Sequence, residues 1–188
     1  MRGKLILLVG PSGSGKGTLF SFVRETFPAF VYPTSWTTRA PRAEESGKSY
    51  HFATEAEFLE AQKRGEFLET DHHFNHYYGT PARVVLEALA AGQTVFHELE
   101  IHGVKQLLSK LPREQITIIF VTAGTWDELV RRIEEREAIT ADELEKRRIR
   151  YEEEMLFKEQ ADFVLPNEHG KLEEAKNELR KILDSVVR

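Results

Sequence analysis

The sequence contains no cysteine and no hydrophobic run of membrane-spanning length. Without cysteine there can be no disulfide bonds and no metal sites built on thiolates. The apolar stretch near the start, residues 5–9, is far too short for a transmembrane helix, and no small-residue cleavage site follows it. We therefore expect a cytoplasmic protein with no membrane association.

An excess of positive charge is also lacking, because the 188 residues carry a formal net charge of −5. Binding driven by a nucleic-acid backbone needs a basic surface, so we expect no nucleic-acid partner. Arginines are nonetheless clustered at Arg39 and Arg42 and again within residues 131–150. Such clusters suit a small polyanionic ligand. The glutamates interleaved in the second cluster equally fit a solvated helix face.

Short apolar runs alternate with helical patterns along most of the chain. The runs predict buried strands at residues 5–9, 93–98, 116–121 and 161–165. Helices are predicted at residues 17–26, 54–65, 82–91 and 171–187, and two more begin at the capping-box sequences of Thr125 and Thr140. This alternation predicts an α/β fold with a doubly wound parallel sheet.

The segment from about residue 33 to residue 80 interrupts the alternation. It is rich in Thr, Tyr, Phe and His, and its short stretches of alternating character are typical of antiparallel strands. We predict a small, mixed α+β lobe inserted into a single domain that covers residues 1–188. The core of this domain is then formed by residues of about 1–32, 81–124 and 160–188.

A glycine-rich loop lies between the first predicted strand and the first predicted helix, which is the context of a phosphate-binding P-loop. Its glycines let backbone N–H groups converge on phosphate oxygens, the helix N-terminus adds partial positive charge, and a lysine adds a full charge. The loop predicts binding of a nucleoside triphosphate. Its residues are Gly10, Pro11, Ser12, Gly13, Ser14, Gly15, Lys16, Gly17 and Thr18.

Gly17 occupies the position at which many P-loops carry a Ser or Thr that binds Mg²⁺. The Gly-Lys-Gly-Thr ending is typical of small-molecule kinases of the nucleoside monophosphate type. We therefore expect no direct side-chain ligand for the metal, and Mg²⁺ held mainly by nucleotide phosphates and water.

Three further blocks follow the loop: Thr-Thr-Arg-Ala-Pro-Arg at residues 37–42, Gly-Glu-Phe-Leu-Glu at 65–69 and Tyr-Tyr-Gly-Thr at 77–80. With these blocks in this order, the chain resembles the guanylate kinase family almost from end to end. The resemblance implies a P-loop NTPase-type fold and the transfer of phosphate from ATP to GMP, with Mg²⁺ as cofactor. It also implies that residues of about 33–80 bind GMP and that residues of about 125–159 form a helical lid.

The same resemblance implies the residues that bind GMP. A carboxylate at Glu69 would accept from guanine N1–H and the N2 amino group, and hydroxyl groups of Ser35 and Thr80 would donate to O6. Glu100 is expected near the acceptor and the metal-bound water. The phosphate of GMP would be bound by two arginines and two tyrosines, Arg39, Arg42, Tyr50 and Tyr78.

The resemblance also assigns the charges that act on the transferred phosphate. Lys16, Arg39, Arg136 and Arg147 are the expected catalytic residues, since phosphoryl transfer depends on positioning and charge stabilisation. Arg132 is expected to bind ATP, and Asn167 resembles the family's contact with adenine, although a turn residue fits the same sequence. Arg148 and Arg150 are interpreted as surface residues. A monomer and a homodimer are both compatible with the sequence.

Several positions depart from the family pattern. Trp36 replaces a residue that is usually small, so an indole packed over the base and an indole in the core are alternatives. Glu100 replaces Asp, His102 replaces Gln, and the loop after Arg42 is shorter by one residue. The departures leave two alternatives to a guanylate kinase: a related kinase with another acceptor, and a non-catalytic binding module.

One cluster of histidines resembles a metal site in composition. Asp71, His72, His73 and His76 lie within six residues of one another in a predicted hairpin. Because successive side chains of a strand point to opposite faces, we do not expect these four to converge on one ion.

Overall fold

The computed structural model describes residues 3–41, 50–73, 75–136 and 139–187, without the side chains of His73 and Arg136. Strands and helices alternate in the described ranges, as the sequence pattern predicts. The strands are β1 (Lys4–Val9), β2 (Trp36–Thr37), β3 (His51–Phe52), β4 (Phe67–His73), β5 (His76–Pro81), β6 (Thr94–Glu98), β7 (Ile116–Thr122) and β8 (Phe163–Pro166). The helices are α1 (Lys16–Thr26), α2 (Glu55–Lys63), α3 (Ala82–Ala90), α4 (Ile101–Lys110), α5 (Trp126–Arg136), α6 (Ala141–Phe157) and α7 (Leu172–Val187).

The strands of the described ranges form two four-stranded sheets. The first is parallel and has the order β6-β1-β7-β8, and the second is mixed and has the order β3-β2-β5-β4. In the mixed sheet β2 runs parallel to β3 but antiparallel to β5, and β4 and β5 form a hairpin. The predicted α/β fold with a small mixed lobe is therefore confirmed.

The chain divides into two compact units. The first unit contains Met1–Leu5, Ala29–Phe96 and His102–Gln115, and the second contains Ile6–Pro28, His97–Ile101 and Ile116–Arg188. The mixed sheet and nearly all of α4 belong to the first unit, which extends beyond the lobe predicted at residues 33–80. The phosphate loop, α5, α6 and α7 belong to the second.

The predicted helix starts are confirmed at Thr54 and Thr140. In each case the threonine Oγ1 accepts from the backbone N–H three residues later, and a glutamate side chain at that later position accepts from the threonine N–H. The box predicted at Thr125 is wrong in its second half. Thr125 Oγ1 accepts from Glu128 N at 3.4 Å, but the Glu128 carboxylate instead accepts from Arg132 and from the backbone N–H of His169.

Helix α4 has no counterpart among the predicted elements. It begins directly after β6 and contains a glycine, Gly103, which is unfavourable in a helix interior. Its buried residues Ile101, Val104 and Leu107 nevertheless recur every three residues and anchor one face of the helix. None of the helices in the described ranges is long and apolar enough to span a bilayer.

Candidate functional site

The phosphate loop of the second unit adopts backbone angles that require glycine at three positions. Gly10, Gly13 and Gly15 have φ of 147°, 85° and 86°. A Cβ atom at Gly10 would overlap the carbonyl oxygen of Val121 in β7. Gly17, in contrast, has no atom within 4 Å of a built Cβ, so the missing Ser or Thr at this position is not a consequence of crowding.

Lys16 is almost completely buried although it carries a charge, since only 6% of it is exposed. Its Nζ donates to the carbonyl oxygens of Gly10 at 2.5 Å and Pro11 at 3.2 Å, so the ammonium group lies within the loop. Ser14 Oγ is also buried there and has no hydrogen-bond partner among the described residues. The loop thus holds a cation and an unused hydroxyl group at the helix N-terminus, where an anion is most favourable.

Asn167 lies against the same loop. Its Nδ2 donates to the Ser14 carbonyl oxygen at 2.8 Å, and its backbone N–H donates to Thr122 at 2.7 Å. A Cβ atom at Gly15 would overlap the Asn167 amide, so the two residues are in close contact. The structure therefore places this side chain as a support for the loop backbone, and its expected contact with adenine stays a prediction.

Two buried glutamates, Glu98 and Glu154, interact with Lys16. Burial raises the pKa of the Glu154 carboxyl to about 8, with a further contribution from the neighbouring Glu100, while Lys16 and Arg150 act in the opposite direction. Burial likewise raises the pKa of Glu98, and Lys16 again opposes the shift. Glu154 had not been predicted as part of the site. Its position four residues after Arg150 on α6 is the signal that could have indicated it.

The interpretation of Arg150 as a surface residue is wrong. Only 17% of its side chain is exposed, and its guanidinium lies 3.6 Å from Glu100 and 3.9 Å from Glu154. Arg148 does lie on the surface, where it pairs with Glu152 at 3.4 Å. The two arginines differ in exposure because they lie on different faces of α6. Arg150 faces Glu100 and Glu154, and Arg148 faces solvent.

The expected lid arginines lie on α5 and α6. Arg147 Nη1 donates to Ser12 Oγ at 3.4 Å, so this arginine reaches the phosphate loop. Arg132 pairs with Glu128 at 2.8 Å on its own helix. The side chain of Arg136 lies outside the described part of the structure, and its predicted role stays a prediction.

In the first unit, the residues expected to bind the GMP phosphate lie on or beside three strands of the mixed sheet, β2, β3 and β5. The Arg39 guanidinium carbon is 5.7 Å from the centre of the Tyr50 ring, and the rings of Tyr50 and Tyr78 are 6.3 Å apart. The structure thus brings together three of the four expected side chains. The fourth, Arg42, lies outside the described residues.

The residues expected to recognise the base lie on the β4–β5 hairpin. Glu69 and Thr80 are directly opposite each other, and Thr80 Oγ1 donates to Glu69 Oε1 at 2.5 Å. Only 3% of Glu69 is exposed, and burial raises the pKa of its carboxyl to about 7 although the Thr80 hydrogen bonds act against the shift. Ser35 precedes β2, where its carbonyl oxygen accepts from His51 N at 2.8 Å.

Trp36 packs on the opposite face of this sheet. It pairs with Gly79, whereas Tyr78 and Thr80 point to the other side because strand side chains alternate. The indole lies 4.1 Å from the His51 ring and 5.5 Å from the Phe67 ring. Of the two alternatives for this residue, the structure supports packing within the lobe, away from the expected base-binding face.

The hairpin histidines resemble a metal site in composition, and the side chain of one of them, His73, lies outside the described part of the structure. Within the described residues no three His, Asp or Glu side chains lie close enough together to bind an ion. His72 instead packs its ring 4.3 Å from that of Tyr77.

Comparisons with known proteins agree with this geometry. Residues 2–186 match the family model described as guanylate kinase. A guanylate kinase of a Synechococcus species is 37% identical over 97% of this chain and 82% of its own length, and one of Rubrobacter xylanophilus is 35% identical over 99% and 96%. The crystal structure of guanylate kinase from Anaplasma phagocytophilum superposes with a TM-score of 0.75 at 25% identity, covering 98% of this chain and 86% of that one. This chain is a member of the guanylate kinase family.

Proposed function

We propose that this protein transfers the γ-phosphoryl group of ATP to GMP or dGMP and releases ADP and GDP or dGDP. The observation that supports this acceptor best is the buried Glu69 carboxylate. Burying an ionised group with only neutral hydrogen-bond donors is costly, and guanine offers two adjacent donors, N1–H and the N2 amino group. Adenine offers neither donor in that arrangement, so it would leave the carboxylate desolvated and unpaired.

The acceptor phosphate is bound by a second group of residues in the same lobe. Arg39 and Arg42 supply charge, and Tyr50 and Tyr78 supply hydroxyl donors, a set that suits a dianion. Ser35 and Thr80 complete the recognition of the base by donating to O6. For this, the single hydroxyl proton of Thr80 leaves Glu69 as guanine supplies that carboxylate with two donors. The lobe therefore selects its ligand both by the identity of the base and by the distance between base and phosphate.

The donor nucleotide is bound by the loop from Gly10 to Thr18 in the second unit. Lys16 exchanges its two carbonyl partners for phosphate oxygens, and Arg132, Arg136 and Arg147 neutralise the charge of the triphosphate as the lid closes. Asn167 keeps the loop in its binding conformation. Water exclusion by the lid prevents hydrolysis of ATP.

Mg²⁺, when bound, neutralises charge on the phosphates of ATP. The carboxylates of Glu98 and Glu100 would be suitable acceptors for its water ligands, because magnesium prefers oxygen groups. Glu98 interacts with Lys16 of the loop, and both Lys16 and Glu100 interact with Glu154. The residues of this chain then orient the hydrated ion without ligating it directly. We also propose a cytoplasmic location and a monomeric or homodimeric state.

A coupled assay with ATP and a panel of GMP, dGMP, AMP, UMP and CMP tests the acceptor. We expect turnover of GMP and dGMP only. Turnover of another nucleotide in preference to both would indicate a kinase with a different acceptor. Absence of turnover with every nucleotide would contradict the proposal and favour a binding module.

The affinity for GMP should depend on pH through Glu69. Its carboxyl must be ionised to accept two donors, and its pKa in the free protein is about 7. Below pH 7 we expect the dissociation constant to rise about tenfold per pH unit, and above it to level off. Titration calorimetry of the wild type and of Glu69→Gln separates this effect from titration of the nucleotide phosphate, which the two proteins share. A pH-independent ratio of the two constants would contradict it.

Replacing Asn167 should loosen the phosphate loop. Asn167→Ala removes a buried hydrogen bond to the loop backbone, so we expect the free energy of unfolding to fall by about 1–2 kcal/mol. The KM for ATP should rise several-fold while the KM for GMP changes little. The matched control is Asn177→Ala on the exposed side of α7. An unchanged KM for ATP would refute the supporting role.

A further inference from the structure

Helix α4 presents three positions to the strand that carries Glu69. Gly103, Gln106 and Lys110 follow one another at spacings of three and four residues, so they share one face of the helix. Among the described strands, β4 is at the edge of the mixed sheet, so one side of its backbone has no neighbouring strand there. The helix face covers that side. All these residues belong to the first unit.

Gln106 binds the edge of β4 with both ends of its amide. Its Oε1 accepts from the backbone N–H of Thr70 at 3.2 Å, and its Nε2 donates to the carbonyl oxygen of Thr70 at 2.7 Å. The side chain thereby replaces a neighbouring strand at this residue. Lys110 does the same on the other side of Glu69, since its Nζ donates to the carbonyl oxygen of Leu68 at 2.6 Å.

Glu69 is therefore held from two sides, by β5 and by α4, and the groups of α4 are not among the residues expected to bind GMP. Its own backbone pairs with β5 opposite Thr80, and the residues before and after it are held by α4. Gly103 leaves room for the carboxylate, because a Cβ atom at this position would lie 2.6 Å from Glu69 Oε2. The Gln106 amide makes hydrogen bonds to two backbone groups of a residue 36 positions away in the sequence. Directional bonds of this kind fix the position of the strand more tightly than apolar packing alone.

We propose that Gln106 is a positioning residue for guanine selectivity, which holds the Thr70 backbone and so aims the adjacent Glu69 carboxylate at the two donors of guanine. The inference rests on the proposed function, since it presupposes that Glu69 binds the base. A displacement of about 1 Å at a recognition group can cost up to about 100-fold in rate. The competing explanation is that Gln106 only protects an exposed sheet edge from pairing with other chains.

Gln106→Met tests the proposal, because it keeps the length and helix propensity of the side chain and removes both hydrogen-bonding groups. Its matched control is Gln62→Met. Gln62 donates to the side-chain oxygen of the same residue, Thr70, at 3.0 Å and leaves the backbone untouched. The kinetic constants are measured with GMP and with IMP, which has N1–H but lacks the N2 amino group.

With Gln106→Met we expect the KM for GMP to rise about tenfold, because the misplaced Glu69 loses the equivalent of one hydrogen bond to a charged group. The kcat at saturating GMP should stay within about twofold of the wild-type value. The ratio of kcat/KM for GMP to that for IMP should fall at least about fivefold, since the N2 contact suffers most. Gln62→Met should leave this ratio unchanged. In a Glu69→Gln background, Gln106→Met should not lower the ratio further.

A variant that lowers the melting temperature but keeps the wild-type ratio would overturn the positioning role and leave only edge protection. If Gln106→Met does not fold, Gln106→Glu takes its place, because it retains an acceptor for the Thr70 N–H and puts a carboxylate oxygen where the donor to the Thr70 carbonyl oxygen was. It must also lower the ratio. Failure of the proposed function has a different signature: a wild type without preference for GMP over IMP, or a Glu69→Gln variant with unchanged selectivity.

Discussion

Replacing Glu69 by Gln is expected to lower kcat/KM for GMP by about 10³-fold and to stabilise the substrate-free protein at the same time. The carboxamide keeps an acceptor for the Thr80 hydroxyl, but it presents an NH₂ group where guanine presents donors. Binding is therefore lost through the removal of an acceptor and the addition of a clashing donor.

The stability gain follows from the raised pKa of the Glu69 carboxyl. A carboxyl whose pKa rises from 4.5 to about 7 on folding binds its proton more tightly in the folded state. The ionised form then costs the folded protein about 3 kcal/mol, a cost that appears as pH rises through 4.5 and is complete above 7. A buried amide has donors of its own to satisfy, so the substitution does not recover the whole cost. We expect Glu69→Gln to raise the free energy of unfolding by about 1–3 kcal/mol at pH 8 and to leave it unchanged below pH 4.5.

Urea unfolding at pH 8 and at pH 4.5, with steady-state kinetics at pH 8, checks both effects. The control is Glu66→Gln, which changes an exposed glutamate of the same segment that pairs with Arg64 at 2.6 Å. It should alter neither activity nor stability by much, since exposed pairs contribute little. A Glu69→Gln protein that is less stable than the wild type at pH 8 would mean that the carboxylate is a structural group.

Replacing Lys16 by Met is expected to lower kcat by about 10³-fold or more while leaving the affinity for GMP within about twofold. The ammonium group supplies the one full positive charge inside the phosphate loop, where it is 6% exposed and bonded only to loop carbonyls among the described contacts. Methionine has a similar volume, so the loop keeps its packing. The variant loses the positive charge that stabilises the transferred phosphate in the transition state.

The same substitution changes the acidic group beside the loop. Lys16 lowers the pKa of both Glu98 and Glu154, so its removal should raise both pKa values further and make the variant less stable than the wild type at high pH. Lys181→Met is the control, since Lys181 is 75% exposed in a pair with Glu178 on α7. Retention of more than about a tenth of the wild-type kcat in Lys16→Met would contradict the assigned role.

Together the two variants separate binding of the acceptor from transfer of the phosphate. Glu69→Gln should lose GMP and keep ATP binding, and Lys16→Met should keep GMP binding and lose turnover. Equilibrium binding of each nucleotide to each variant therefore gives a pattern of retained and lost affinities. A single variant that lost both would point to a general defect in folding.

The phosphate loop could be predicted from the sequence because its chemistry is local. Gly10, Gly13 and Gly15 are required by backbone angles within a few residues, and Lys16 follows directly. The assignment of Glu69 and Thr80 to the same base rests on sequence blocks that lie equally close together along the chain. The hairpin that joins them is short, and the family blocks identify both residues.

Contacts between segments that are distant in the sequence could not be predicted in this way. The bond from Gln106 to Thr70 joins residues 36 positions apart, and the helix that carries Gln106 contains Gly103, which is unfavourable in a helix interior. Arg150 was misjudged because an arginine among glutamates has the same pattern on a solvated face as in a buried group. Only the position of Glu100 relative to α6 decides between them.

The most direct test of the account is the ratio of kcat/KM for GMP to that for AMP, measured with ATP for the wild type and for Glu69→Gln. A site that pairs a buried carboxylate with two base donors should give a wild-type ratio of about 10⁴ or more. We expect the ratio to fall by at least about 100-fold in Glu69→Gln. A ratio that is the same in both proteins would show that Glu69 does not select the base.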